Sequence, residues 1–404
     1  MKKTILITLL TFTLFVSAQE VAPLTLKDAI NFALENKSDA KKAKLEVENS
    51  EYKIQEVRSR ALPQISANGS LNYNPILQTT VIDGDNFGAP GTIIQAAFGQ
   101  KWNSVAGVSF SQAIFDQSVF TGLRAAKTTR EFYQINAELT DEQVIERVAN
   151  AYYQVYVQQQ QLLLVENNLK NASKVKDIIK GQFENGLAKK IDLDRISVRV
   201  NNINALKQQI NNAITLQENA LKFYMGMSVE NKIIIPKTAF EVTPQDLSTT
   251  VDVTGRTEYL LLKKQEQLLT YQKKAYLANY YPTLSLSGSY NYIGQGPEMP
   301  LFAKPIDGVF WSDFATIGLN LRVPIFAGFG TRAKVRQADN ALKSVKVDLD
   351  ETKLALDLAL DNAKKQIENS LITIKNQKEN AQLAEEVFNN TNNNYTQGLA
   401  SLTD

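Results

Sequence analysis

The stretch PQISANGSLNY, residues 63–73, returns as PTLSLSGSYNY at residues 282–292. Each copy opens on a proline, which removes a backbone donor and collides with a preceding helical turn, so a helix ends there. Ser285, Ser287, Ser289 and Asn291 then fill the odd positions of the second copy, while Leu284, Leu286, Gly288, Tyr290 and Tyr292 fill the even ones. Alternation puts every second side chain on the same side of a pleated strand, so the pattern predicts a strand with one polar and one apolar face. The same alternation marks 105–114, with Ala106, Val108, Phe110 and Ile114 in phase. It marks 317–325 as well, with Ile317, Leu319, Leu321, Val323 and Ile325. Four half-buried strands of roughly ten residues follow, about the length that crosses a bilayer at a tilt.

The repetition extends along the chain. Gly107, Phe110, Ile114 and Phe115 match Gly318, Leu321, Ile325 and Phe326 at a spacing of 211. Phe183, Gly186-Leu187-Ala188 and Asp192 match Tyr395, Gly398-Leu399-Ala400 and Asp404 at 212. The proline-led strands are 219 apart, so the first copy carries the longer loop. One order with one loop-length change predicts a duplicated unit. Each copy reads helix, strand, loop, strand, long helix, turn, helix. Thr25 and Asp28 predict a capping box opening the first helix, which runs to about Arg60. The connections 74–103 and 293–313, rich in Gly, Pro, Asn and Asp, read as surface loops.

The long helices are the second unusual feature. Residues 116–182 contain no proline, and glycine only at Gly122 and Gly181; residues 331–394 contain neither. Each helix would be about 100 Å long. A 4-3 ladder of Val144, Val148, Ala151, Val155, Leu162, Val165, Leu169, Ala172, Ile179 and Phe183 is broken only by Gln158 and Lys176. Val335, Ala338, Leu342, Val345, Leu349, Leu356, Ala359 and Ala363 keep the same rhythm. Both predict coiled-coil packing.

Composition narrows the function. The 404 residues include no cysteine and no histidine, and carry a formal net charge of +2. Thiol chemistry, disulfides and the commonest general base and metal ligand are excluded, and nothing calls for an enzyme, a metal or another cofactor. Near-neutral charge argues against nucleic acid as a partner. Lys2, Lys3, the apolar run 5–16 and Val16-Ser17-Ala18 read as a signal peptide over 1–18. The first copy then occupies 19–225, a connecting segment 226–255, and the second copy 256–404.

Four strands cannot close a barrel, and open edges in lipid leave backbone groups unpaired at several kcal/mol each. Other copies must complete the sheet: two give eight strands with a filled interior, three give twelve with room for water. Trp102, Trp311, Tyr73 and Tyr292 near one set of strand ends, and Phe115 and Phe326 near the other, read as aromatic girdles at the membrane interfaces or as ordinary sheet aromatics. The residues therefore describe a mixed α/β membrane protein: four strands per protomer in a shared barrel, above helices packed into a tube. A periplasmic coiled-coil adaptor or structural protein is the alternative; it explains the helices but neither the strands nor the duplication.

The sequence resembles the TolC family of outer-membrane efflux proteins. The resemblance rests on the duplicated plan, on Leu62-Pro63 and Tyr281-Pro282, and on Val323-Pro324-Ile325-Phe326-Ala327-Gly328-Phe329-Gly330. Arg256-Thr257-Glu258-Tyr259 and the two Gly-Leu-Ala turns add to it. It implies a homotrimer with a twelve-stranded transmembrane β-barrel, an α-helical barrel, and an equatorial region to which 226–255 contributes. It also implies passive efflux or type I secretion through the outer membrane of a Gram-negative cell. The implied partners are a periplasmic adaptor (membrane fusion) protein and an inner-membrane RND, ABC or MFS transporter. Pro63, Pro282 and Pro324 would mark helix–strand junctions. Gly186, Leu187, Ala188, Gly398, Leu399 and Ala400 would be tips that meet the adaptor. Asp404 would form an acidic ring at the periplasmic gate, with Asp192 its first-copy counterpart; Asp192 also reads as a helix N-terminal aspartate favoured by the dipole. Ala400 stands where the TolC type has an arginine, so a closing salt bridge there is not expected. The first copy continues as a helix after Asp192, whereas the second stops at Asp404, which leads us to expect roughly thirty further residues.

Overall fold

The computed structural model describes residues 23–88, 90–236, 251–301, 308–397 and 399. The signal-peptide reading, residues 237–250 of the connecting segment, Gly398, Ala400 and Asp404 fall outside the described residues. The chain divides into two compact units, and the long helices contribute to both.

One unit, 46–135 with 251–368, holds the sheet. Strands β1 (Gln64–Tyr73), β4 (Trp102–Phe115), β5 (Thr283–Gly296) and β6 (Phe310–Arg322) pair antiparallel in the order β1-β4-β5-β6. The two copies thus meet at the β4–β5 ladder. The register aligns like with like: Ser66 faces Ser109, which faces Ser289, which faces Thr316. One step along, Ala67, Val108, Tyr290 and Ala315 line up on the other side. A one-residue slip anywhere would turn serines onto the apolar side, so the alternation itself specifies the register. A bulge between Ala113 and Phe115 re-aims the end of β4.

Four helix segments extend this sheet. Helix α2 (Ser38–Ser59) leads into β1, β4 leads into α3 (Gln117–Glu184), α5 (Thr257–Ala278) leads into β5, and β6 leads into α6 (Gly330–Thr396). Contacts between the helices follow the strand order. Lys53 donates to the Tyr133 hydroxyl at 2.9 Å and Arg130 pairs with Glu51 at 2.7 Å, joining α2 to α3. Lys264 meets Glu131 at 2.9 Å, joining α3 to α5, and this hydrogen bond holds the Glu131 carboxyl below its ordinary pKa. Lys273 meets Asp339 at 2.6 Å, joining α5 to α6.

The other unit comprises residues up to 45, 136–250 and 369 onward. Its core is α1 (Leu26–Asn36) set against α3 and α4 (Lys190–Met225): Ala29, Ala33, Val148, Val155, Leu221 and Met225 are buried together. Tyr152 is buried among them and its hydroxyl donates to the Leu24 carbonyl at 3.0 Å, satisfying the one polar atom such a ring carries inward. The Leu24 amide in turn donates to Ile234 at 2.7 Å, tying the start of the described chain to the segment after α4. Thr25 caps α1 as expected, accepting from the Asp28 amide at 3.2 Å and donating to its carboxylate at 2.6 Å. The α3 ladder is buried at Val144, Val148, Ala151, Val155, Val165, Ala172 and Ile179.

Two expectations need correction. A single first helix to Arg60 does not form: Lys37, in extended conformation, separates α1 from α2. Its ammonium donates to the Phe223 carbonyl at 3.0 Å and sits 3.9 Å over the Phe223 ring. Gly226, with φ +73°, ends α4 so close that an added Cβ would lie 2.9 Å from the Asn36 carbonyl oxygen. Long-range contacts therefore hold the break, and nothing in the local helical pattern reports it. The loop 74–103 is also not plain loop. It carries a hairpin, β2 (Thr79–Asp83) with β3 (Ile93–Ala97), so the described chain has two strands beyond the expected four.

Leu221→Ala should cost about 2–5 kcal/mol and Tyr152→Phe about 1 kcal/mol, read as falls in the thermal midpoint of the detergent-solubilised protein. Glu218, half-buried on α4, offers a pH test. Burial raises its carboxyl pKa against the opposing pull of Lys222. A raised carboxyl pKa penalises folding wherever the group is charged, and the penalty vanishes below the ordinary carboxylate range. Glu218→Gln should therefore raise the midpoint at about pH 8 and leave it unchanged at about pH 3.5.

Candidate functional site

The two faces of the sheet differ in chemistry. One face presents Ser66, Ser70, Asn68 and Asn72 from β1, Ser109 and Ser111 from β4, Ser285, Ser287 and Ser289 from β5, and Thr316 and Asn320 from β6. The hydroxyls bond across strands: Ser66 to Ser109 at 2.9 Å, and the Asn320 amide to Ser287 at 2.7 Å. They line a shallow groove of about 440 Å³. Small hydroxyls can exchange partners with water, so this surface remains wettable while its own groups stay satisfied.

The opposite face is apolar and bare. Ile65 is 73% exposed, Ile317 78% and Leu319 68%, joined by Val108, Leu321 and Tyr290. Toward one end, Tyr73 lies 4.7 Å from Trp102 and Tyr292 stacks at 4.7 Å on Trp311. Glycine makes room for these rings: a Cβ on Gly294 would meet the Trp311 indole at 2.7 Å, and one on Gly288 would meet the Phe110 ring. At the other end, Phe115 faces Phe120 at 6.2 Å and Phe326 meets Phe329 edge-on at 5.4 Å. Phe326 lies past the end of β6, and Phe329 adopts φ +60°, a left-handed conformation that a bulky residue rarely takes. Pro63 and Pro282 each stand directly before a strand, and Pro324 follows β6 by two residues, lining a cavity of about 190 Å³ with Ile325, Phe326 and Phe329.

The stretch 293–313, expected as loop, is strand at both ends: β5 runs on to Gly296 and β6 begins at Phe310. Phe310 and Phe314 fall on the hydroxyl-bearing face, next to Gln295 and Asn291 of β5, and Ile293 and Val105 share that side. The polar side therefore turns partly apolar toward the loop end of the sheet. The period of two carried back from Ile317 runs through Ala315 and Asp313 to Trp311, which leaves Phe314 and Phe310 on the opposite, hydroxyl-bearing side.

The α3–α4 turn is built on Gly186, with φ +74°. The Leu187 amide reaches back to the Gln182 carbonyl at 2.7 Å, closing the last turn of α3. The Leu399 amide makes the corresponding bond to Asn394 at 2.8 Å, so both copies end their long helices in the same way. Asp192 sits in the first turn of α4, 3.8 Å from Arg195, and lines a groove of about 560 Å³ with Leu187, Ala188, Ile179 and Arg199. Asp404, Gly398 and Ala400 lie outside the described residues. Among the described residues no cluster of acidic side chains could hold a metal ion, and no helix is long and apolar enough to cross a membrane.

Known proteins give this geometry a context. A family profile described as "Outer membrane efflux protein" matches residues 29–227 and 262–404. The chain is 26% identical over 257 residues to the outer membrane protein TolC of Vibrio cholerae serotype O1, an alignment covering 61% of this chain and 56% of that one. The match thus spans little more than half the length of that relative. The crystal structure of the outer membrane protein VceC from Vibrio cholerae superposes with a TM-score of 0.70 at 16% identity, over 93% of this chain and 87% of that one. The Campylobacter jejuni CmeC outer membrane channel superposes with a TM-score of 0.68 at 18% identity, over 94% and 78%. These structures share the fold, and the profile match over most of its length shows that the chain belongs to the outer membrane efflux protein family.

Proposed function

We propose that the chain is one subunit of a passive outer-membrane duct that exports substrates in an efflux or type I secretion system, and that it has no enzymatic activity. One observation carries this reading: among the described residues the four-stranded sheet has two unpaired edges, β1 and β6, and it has two faces of opposite polarity. Hydrocarbon accepts a sheet only if every backbone group is paired, and water disfavours so large a bare apolar face. Pairing β6 of one copy with β1 of the next satisfies both. Three copies give twelve strands, with serines and asparagines toward a water-filled lumen and Ile65, Val108, Ile317 and Leu319 toward lipid. The tilted Tyr73–Trp102 pair and the stacked Tyr292–Trp311 pair then serve as one aromatic girdle, and Phe115 and Phe326 as the other.

The turns Gly186-Leu187-Ala188 and Gly398-Leu399-Ala400 are the surfaces we assign to a periplasmic adaptor protein, which links the duct to an inner-membrane transporter that supplies the energy. The support is the matching pair of backbone hydrogen bonds, Leu187 to Gln182 and Leu399 to Asn394, together with the exposed Leu187 and Leu399 side chains. Asp404, with Asp192 as its counterpart, is our candidate for the periplasmic gate, since three copies would place like charges in one constriction.

Neighbouring residues on β4 test the face assignment. The chain lacks cysteine, so a single introduced thiol is unique. Ser109→Cys should react with a charged, water-borne methanethiosulfonate in reconstituted channels and reduce their current. Val108→Cys should be silent to that reagent and react with a lipid-soluble maleimide. The reverse pattern, or folded monomers in buffer that ignore lipid, would overturn the reading. A photo-reactive amino acid at Leu187 should cross-link in cells to a periplasmic adaptor, whereas the same group at Leu45 should not; equal labelling from both would remove the tip assignment.

A further inference from the structure

The four-stranded sheet carries very little charge. Strands β1, β4 and β5 contain no Asp, Glu, Lys or Arg, and β6 contains two charged residues, Asp313 and Arg322. Register separates them. Asp313 lies opposite Tyr292 on the apolar face and accepts a 2.9 Å hydrogen bond from the Tyr290 hydroxyl. Arg322 lies opposite Thr283, in phase with Asn320, Gly318 and Thr316, on the hydroxyl-bearing face. It is exposed, and it closes the strand at the end from which the chain runs on into α6 at Gly330. The first copy has Ser111 at the matching position, 211 residues earlier. Duplication therefore leaves one arginine per protomer where symmetry would have given two.

We infer that Arg322 is a determinant of ion selectivity: three copies form a sparse cationic ring at the inner end of an otherwise uncharged barrel wall, favouring anionic over cationic permeants. This rests on the lumen-facing assignment of the hydroxyl-bearing face. The distances make the effect measurable. Twelve strands spaced about 4.8 Å apart and tilted by about 40° give a backbone radius of roughly 12 Å. An arginine side chain reaches about 6 Å inward, leaving its charge within one Debye length of the axis at 0.1 M salt, where that length is about 10 Å. At 1 M salt it is about 3 Å, and the ring is screened from the middle of the lumen. Along the rest of the wall Ser, Asn, Gln and Thr hydrate permeants without regard to the sign of their charge, so nothing on the sheet masks the arginine.

The test is the reversal potential of the full-length protein in planar bilayers under a KCl gradient. Near 0.1 M salt, Arg322→Gln should raise the potassium-to-chloride permeability ratio by about twofold or more, and Arg322→Glu should raise it further. Near 1 M salt the three proteins should converge. Arg322→Lys should keep the wild-type ratio, which separates charge from shape. Because these 404 residues carry no thiol, Arg322→Cys channels already inserted should move back toward the wild-type ratio on reaction with a cationic methanethiosulfonate and away from it with an anionic one. An identical ratio in wild type, Arg322→Gln and Arg322→Glu, in channels whose Ser109→Cys thiol is blocked from water, overturns the Arg322 proposal alone. Failure of Ser109→Cys to react from water removes the lumen assignment beneath it.

Discussion

The unpaired edges of the sheet constrain everything else. About half the backbone N–H and C=O groups of β1, with ten residues, and of β6, with thirteen, point away from their single neighbours. Left unpaired in hydrocarbon at several kcal/mol each, they amount to some tens of kcal/mol. A folded domain is stable by only about 5–15 kcal/mol, so no amount of good packing elsewhere offsets open edges in lipid. Moving the sheet to water does not solve the problem, because Ile65, Ile317, Leu319 and Leu321 would then lie uncovered side by side. Edge closure by further copies relieves both penalties at once.

The helices inherit their arrangement from this sheet. Each of α2, α3, α5 and α6 is covalently continuous with one strand, so the strand order β1-β4-β5-β6 becomes the helix order in the sheet-bearing unit. The ion pairs between them, Glu51 with Arg130, Glu131 with Lys264, and Lys273 with Asp339, sit at half-exposed positions. Pairs of that kind contribute about 0–1 kcal/mol. They adjust neighbouring helices in register, while the strand ladders and the apolar seams of α3 and α6 supply the stability. The remaining unit stabilises the other part of α3 differently, by burying Val148, Val155 and Tyr152 against α1 and α4.

Much of this was legible in the residues because the decisive signals are periodic. Serine at every second position of β5, and the 4-3 ladder of α3, state the fold class and the polarity of each face without reference to anything distant. The duplication made each signal appear twice. What stayed hidden depends on contacts far apart in sequence. Lys37 breaks the first helix because Phe223 and Gly226 receive it, 186 or more residues away. The β2–β3 hairpin lies inside a segment whose glycines and prolines signal turns but do not say how its short apolar runs pair. Phe314 is out of phase with the apolar alternation that starts at Ile317, so that alternation does not reveal it. Among the candidate site residues, the aromatic pairs and the Gly186 turn have definite geometry, whereas the Asp404 position lies beyond the described chain.

Edge closure requires that β1 and β6 have partners in the membrane. Amide hydrogen exchange on the full-length protein in lipid bilayers measures this directly, strand by strand. Closure predicts that β1 and β6 exchange as slowly as β4 and β5, which are paired on both sides within one chain. Rapid exchange confined to the outward amides of β1 and β6, beside a protected centre, would mean that the edges remain open and would contradict the account.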